Sequence, residues 1–424
     1  MKWFYSCPGC GKTDAIERGR YLCDDCAGRA MPGQPLEGVL ECLWAADADD
    51  ADMRAAREGR LIPLPVEQRF FPPLPVGNTP LWAPGRLRKE LDAPGLFLKD
   101  DTRNPSGSFK DRASWLVGAF ALRHGIKEIA LASTGNAASS MACVGAAAGI
   151  RVKVFVPASA PAAKRIQVLQ YGGELVEVRG TYDKAFDESL AYTEATRVLS
   201  RNTAYNPLTI EGKKTAAFEI AKDLALSANA RTRLGDFGGA SFCYGRSAGA
   251  EPGFLAPDHV FVPVGDGVIL SGLIKGFEDM LRLGLVRTMP VFWACQAEGS
   301  SAIARALDSG EFIALPSETL ADSISVDVPR NGSFALRKLK KYGGKAVTVD
   351  DSRIAAAQRR LASGSGLFVE PSSACAFACY LKVKETLGRA ERVVIMLTGS
   401  GLKDIKNAAD RKSTRLNSSH GKLS

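Results

Sequence analysis

No stretch of this 424-residue sequence approaches the roughly 20 consecutive apolar residues needed to cross a bilayer, so no membrane partner is expected. The opening residues, MKWFYSCPGC, lack the long apolar core of a secretory signal, and a cytoplasmic protein is expected. A basic helix and any run of five or six basic residues are missing as well. The formal charge of +9 invites a nucleic-acid reading. However, Arg411, Lys412, Arg415 and Lys422 against Asp410 place +3 of it in the last fifteen residues. The rest suits attraction to anionic small substrates equally well, and no nucleic-acid partner is expected. There is no internal repeat, and no GK[ST] follows the glycine turn at 265–267. The single GDG has Leu270 where a third glycine would complete a dinucleotide fingerprint.

What is present is a globular composition, 46% hydrophobic and 24% charged, in a chain long enough for about two to three compact units. Cys7, Cys10, Cys23 and Cys26 form C-P-G-C, twelve residues, then C-D-D-C. Two such knuckles can close a tetrahedral four-thiolate site, with no open position left for catalysis. A structural zinc ribbon over residues 1–35 is expected, the alternative being four unrelated thiols. The remaining cysteines are scattered, which argues against a disulfide scaffold. Residues 36–58 read as helical and acidic, and 63–84 as a proline-rich arm that can neither continue a helix nor enter a central strand.

From there short apolar runs alternate with amphipathic segments. Strands are expected at 95–101, 128–134, 151–157, 174–180, 259–265, 291–299, 346–350 and 392–401. Helices are expected at 109–125, 136–149, 162–171 and from 180 toward 201. Such alternation means an α/β fold with open, mainly parallel sheets flanked by helices. Residues 227–257 read as an irregular insertion. Residues 410–424 include DRKSTRLNSSH, which has no apolar periodicity and reads like the in-frame translation of a sequencing-library adapter; a non-native tail is expected there.

Three strand-end segments carry chemistry. NPSGSFKDR (104–112) places Lys110 at a helix start, where free amides favour a less protonated amine and hence an imine-former; an ordinary solvated lysine fits the segment too. ASTGNAASSMA (132–142) offers Ser133, Thr134 and Asn136 at the carboxyl edge of a sheet, where open α/β folds bind ligands, or else a plain helix cap. VPVGDGVILSG (262–272) can aim successive amides at one anion, or can be a simple strand-to-helix turn.

The order of these segments, with VGNTPLW (76–82) before them and QAEGSSAI (296–303), ADSISVDVPRN (321–331), FVEPSSACA (368–376) and LTGSGLKD (397–404) after, resembles the fold-type II pyridoxal-phosphate enzymes. Within that tryptophan synthase β-like group it is similar to the threonine synthases, some of which carry a four-cysteine ribbon. The resemblance implies a catalytic region over 85–409 in two interleaved α/β subdomains, the smaller at about 110–205, and a homodimer. It implies pyridoxal 5′-phosphate attached to Lys110, which then shuttles the α-proton. Phe109 would lie by the ring and Asn136 at the phenolic oxygen, with Thr398 at the pyridine nitrogen. The amides of Gly265, Asp266, Gly267 and Val268 would hold the phosphate. Ser106, Ser133 and Thr134 would form the substrate carboxylate or phosphate subsite, with Lys213, Lys214 and Arg330 as candidates for the substrate phosphate. The implied reaction takes O-phospho-L-homoserine and water to L-threonine and phosphate. Cysteate synthase, serine or threonine dehydratase and diaminopropionate ammonia-lyase share the scaffold, and a non-catalytic zinc-ribbon binding protein is the alternative from another class. Two positions depart from the family pattern: Ser400 replaces a common histidine, and Asp266 a common asparagine. An acidic side chain next to a phosphate must turn away and leave only its amide.

Overall fold

A computed structural model describes residues 1–45, 50–158, 162–234 and 253–405. The expected tail at 410–424, and 235–252 of the expected insertion, lie outside the described residues. Three antiparallel strands open the chain: β1 (Trp3–Ser6), β2 (Thr13–Ala15) and β3 (Glu41–Trp44), in the order β2-β1-β3. β3 falls inside the segment expected to be helical. Its residues alternate between half-buried and buried, a period of two that fits a strand once β1 is its partner. Among the described residues of that segment helix is confined to Ala51–Arg57, which begins where Asp50 accepts the Met53 N–H at 2.9 Å.

The proline-rich arm contributes the edge strand β4 (Leu81–Trp82), antiparallel to β5 (Leu96–Asp100). The chain then builds a separate parallel sheet from β6 (Glu128–Ala132), β7 (Arg151–Pro157), β8 (Glu174–Val178) and β9 (Leu199–Ser200), in the order β8-β7-β6-β9. β9 lies where helix was expected. The helix Tyr182–Thr196 stops at Arg197, whose φ is 58°, and the freed residues pair with β6. The helix Thr215–Leu234 likewise runs into the start of the expected insertion.

β10 (His259–Pro263), β11 (Val291–Ala297), β12 (Lys345–Val349) and β13 (Val393–Leu397) return to the first large sheet, ordered β12-β11-β10-β13-β5-β4 and parallel except for β4. Every residue of β5, β10 and β13 is buried, as central strands covered on both faces must be. Segments that follow β5, β6, β10 and β13 meet in one cleft.

A buried charge network holds both ends of the loop that carries Lys110. Arg112, 1% exposed, donates from Nε to Asp101 Oδ2 at 2.6 Å and from Nη1 and Nη2 to the two Glu219 oxygens at 2.6 and 2.7 Å. Lys99 Nζ meets Glu219 Oε2 at 2.8 Å. Burial alone would raise the Glu219 pKa, but Arg112 and Lys99 overcome it and hold the carboxylate far below its ordinary range. Arg112→Ala leaves two buried carboxylates short of their main cation and is expected to cost roughly 3–5 kcal/mol in urea unfolding at neutral pH. A depressed folded-state pKa stabilises fully above the unfolded value of about 4.3, and the contribution is lost progressively as pH falls from there through the folded-state pKa. The gap between wild type and variant should therefore narrow in acid, and a pH-independent gap would contradict the assignment.

Candidate active site

Lys110 opens the helix Lys110–Arg123, placed by the loop that follows β5. The loop is sewn to the end of β13: the Phe109 N–H donates to Thr398 O at 2.8 Å and the Ser400 N–H to Gly107 O at 3.0 Å. Lys403 of the TGSGLKD segment adds a bond from Nζ to Ser106 O at 2.8 Å. Thr398 is held in turn by Ser373, whose Oγ accepts the Thr398 N–H at 2.9 Å and lies 3.2 Å from Thr398 Oγ1. After β10, Gly265, Asp266 and Gly267 lead into the helix Val268–Leu283. Gly267 has φ 86°, and a Cβ there would stand 2.8 Å from Ala335 Cβ, so both backbone and space require glycine.

These segments line one cleft. It is lined by Phe109, Lys110, Asn136, Gly265, Asp266, Gly267, Val268 and Thr398. The whole cofactor set named from sequence is thus brought to one place. Burial is the largest influence on Lys110 and lowers its pKa; Arg201 acts in the same direction, while Asp266 and Glu370 oppose. Desolvation therefore does most of what the helix start alone was expected to do. Asp266 turns one carboxylate oxygen away to accept the Arg330 N–H at 3.0 Å.

The substrate set is more dispersed. Ser106 is engaged by Asp111, whose Oδ2 accepts the Ser106 N–H at 2.7 Å. Ser133 Oγ accepts the Gly135 and Ala138 amides at 3.2 and 3.3 Å and caps the helix that Asn136 begins. Thr134 sits half-buried beside it. Arg330 pairs with Asp183 and lies 3.8 Å over the Phe186 ring. The expectation for Lys214 is corrected: its ammonium is buried between Glu211 and Asp279, 5.0 Å from the Trp3 ring, where it holds the N-terminal sheet. Lys213, its neighbour in sequence, stays near the cleft. Burial pushes its pKa far down, the Lys110 and Arg201 charges add to this, and it donates to Thr209 O at 2.9 Å.

Two residues escaped the sequence reading. Glu370 lines the cleft, 2% exposed, and accepts from Asn136 Nδ2 at 3.0 Å and Ser323 Oγ at 3.2 Å; burial raises its pKa. Its signal was an acid just before the helix-opening Pro371. Arg201 is fully buried, and its Nη2 has no hydrogen-bond partner among the described residues. Burial pushes its pKa down to about 10, so it remains a cation at neutral pH. It follows β9, the strand the sequence concealed.

The family model described as pyridoxal-phosphate dependent enzyme matches residues 73–399. The chain belongs to that family. It is 31% identical over 418 residues to the threonine synthase of Methanosarcina acetivorans, covering 95% of this chain and 93% of that one. Against the threonine synthase of Methanocaldococcus jannaschii it is 31% identical over 406 residues, covering 94% and 92%. Among solved structures, the processed form of threonine deaminase isoform 2 from Solanum lycopersicum superposes with TM-score 0.60 at 22% identity, covering 77% of this chain and 81% of that one. Maize serine racemase gives TM-score 0.60 at 22% identity, covering 77% and 88%. These two share the fold.

The cleft of this pyridoxal-phosphate enzyme fits its cofactor on its own geometry. It has a half-buried lysine of lowered pKa at one wall, glycine-cradled amides at another and a buried hydroxyl at a third. Gly399 marks how tight the fit is, since a Cβ there would stand 2.4 Å from Glu370 Cδ. Gly399→Ala should displace Glu370 and lower cofactor affinity by about tenfold or more, read by titrating the apoenzyme with pyridoxal phosphate; unchanged affinity would remove Glu370 from the site. At the other end of the chain, the Sγ atoms of Cys7, Cys10, Cys23 and Cys26 all lie within 4.8 Å of one another. Tetrahedral zinc with ~2.3 Å bonds needs sulfurs about 3.8 Å apart, so the donor set fits a closed metal site.

Proposed function

We propose that the protein is a threonine synthase that converts O-phospho-L-homoserine and water to L-threonine and phosphate. What carries the reading is two buried basic side chains within electrostatic reach of Lys110. Arg201 has an unpartnered Nη2 and Lys213 a strongly lowered pKa, and a substrate phosphate would satisfy both. The near full-length likeness to threonine synthases supports the same choice.

Bound pyridoxal phosphate would supply an electron sink that acidifies hydrogens next to the substrate's amino-bearing carbon. The residues that would hold it are Lys110 by covalent attachment, the Gly265–Val268 amides at its phosphate, Asn136 at its phenolic oxygen and Thr398 at its ring nitrogen. Lys110 Nζ, once released, would take the proton from the substrate Cα, a task suited to an amine of lowered pKa. Arg201 and Lys213 would hold the substrate phosphate and neutralise it as it leaves, with Arg330 at the rim. Four thiolates of the ribbon would hold a structural zinc. A homodimer and a cytoplasmic location belong to the same reading; among the described residues, no helix is long and apolar enough to cross a membrane.

Purified enzyme should release phosphate and threonine from O-phospho-L-homoserine; ammonia release from serine or threonine without phosphate release would assign it to the dehydratases instead. Lys110→Ala should lose both turnover and the visible absorbance of covalently held cofactor. Inorganic phosphate should raise the lowered Lys213 pKa, so its binding should take up a proton, measurable by calorimetry in buffers of different ionisation enthalpy. Elemental analysis should find one zinc per chain, lost in Cys26→Ser; a metal-free wild type would leave the four thiols without that role.

A further inference from the structure

Three of the contacts between the N-terminal segment and the catalytic region bear on the site. Tyr21, 9% exposed, lies between the two cysteine pairs. Its hydroxyl accepts the Ser200 N–H at 2.8 Å, and its ring centroid is 4.9 Å from that of Tyr205. The Leu36 N–H donates to Arg330 O at 3.0 Å. Val39, bridged to Leu22, packs with Ala204, Ile210, Val268 and Phe334, and Val268 belongs to the cleft wall.

The Tyr21 contact bears directly on Arg201. β9 is a two-residue strand at the edge of its sheet. The Arg201 N–H pairs inward with Ala130 O at 2.8 Å, so the Ser200 N–H faces the open edge, where the Tyr21 hydroxyl is its acceptor. A buried N–H on a sheet edge needs such an acceptor. The side chain of Arg201 is held by Ser114 Oγ on Nε at 3.1 Å and Thr203 Oγ1 on Nη1 at 2.7 Å, which leaves Nη2 without a partner among the described residues, while the backbone it springs from is anchored next door by the Tyr21 contact to Ser200. Just beyond, Ala204 has φ 70°, a conformation rarely held by a residue with a side chain, and it packs in the same cluster as Val39.

We infer that Tyr21 is a positioning residue: through Ser200 it fixes Arg201, so that the ribbon sets the grip on the anionic end of the substrate and leaves cofactor binding alone. The inference rests on the substrate role given to Arg201 in the proposed function.

The test is steady-state kinetics and inorganic-phosphate inhibition of cofactor-loaded Tyr21→Phe, Arg201→Gln and the double variant. Tyr21→Phe keeps the ring against Tyr205 and removes only the acceptor. The KM for O-phospho-L-homoserine and the phosphate inhibition constant should rise together, about three- to tenfold, as for one lost hydrogen bond. The kcat and the visible absorbance should not change, and no further rise should appear in the Arg201→Gln background. An unchanged KM in Tyr21→Phe, or additive effects in the double variant, overturns the inference while the substrate reading of Arg201 stands. An unchanged KM in Arg201→Gln overturns both. If Tyr21→Phe does not fold, hydrogen exchange on the wild-type holoenzyme decides: coupling is reciprocal, so inorganic phosphate should slow exchange at residues 20–26, and no change there overturns the inference.

Discussion

The buried fork of Arg112 is the contact on which the rest of the site depends. One guanidinium joins Asp101 at the end of β5, Glu219 on the helix Thr215–Leu234 and Thr79 of the proline-rich arm. Those three segments come from distant parts of the sequence, and all are fixed by a residue two positions after Lys110. A planar donor with five N–H groups can hold two carboxylates at once, which a lysine could not do with the same directional control. The same charges would be costly if separated, so the network tolerates one arrangement of the loop. The backbone bonds from Phe109 to Thr398 and from Ser400 to Gly107 then carry that arrangement across to β13.

With the loop fixed, the cleft divides its charges. Glu370 and Asp266 oppose the lowering of the Lys110 pKa, while Arg201 and burial favour it. Glu370 lies on the side of Asn136, and its space is reserved by Gly399. Arg201 and Lys213 are two further buried basic groups within electrostatic reach of Lys110. In the proposed function they would hold the phosphate of the substrate, and the amides after β10 that of the cofactor.

The N-terminal sheet is more than an appendage. Trp3 and Trp44 cover the buried Lys214, which is paired with Glu211 and Asp279. The ribbon is thus built into the ionic interior of the catalytic region, and Tyr21 reaches the strand that precedes Arg201. A lysine read from sequence as a phosphate ligand is in fact part of this junction. Residue type and neighbourhood in sequence could not separate Lys213 from Lys214; one step along the chain sends the Lys213 amine to Thr209 O and the Lys214 ammonium toward the tryptophans.

By itself the sequence determined the α/β architecture, the four-cysteine knuckles and the loop motifs at Lys110, Asn136, Gly265–Val268 and Thr398. Each is a local pattern: buried parallel strands are continuous apolar runs, and tight turns at strand ends need glycine or small polar residues whatever surrounds them. Only the tertiary structure decided β3 and β9, the placement of Glu370 and Arg201, and the withdrawal of Ser106 and Lys214 from the cleft. β3 and β9 are short segments that become strands because β1 and β6 offer partners. Ser106 and Lys214 are lost to Asp111, Glu211 and Asp279 because a buried polar group must satisfy its nearest partner. Those partners are chosen by packing across long sequence separations, which no local pattern records.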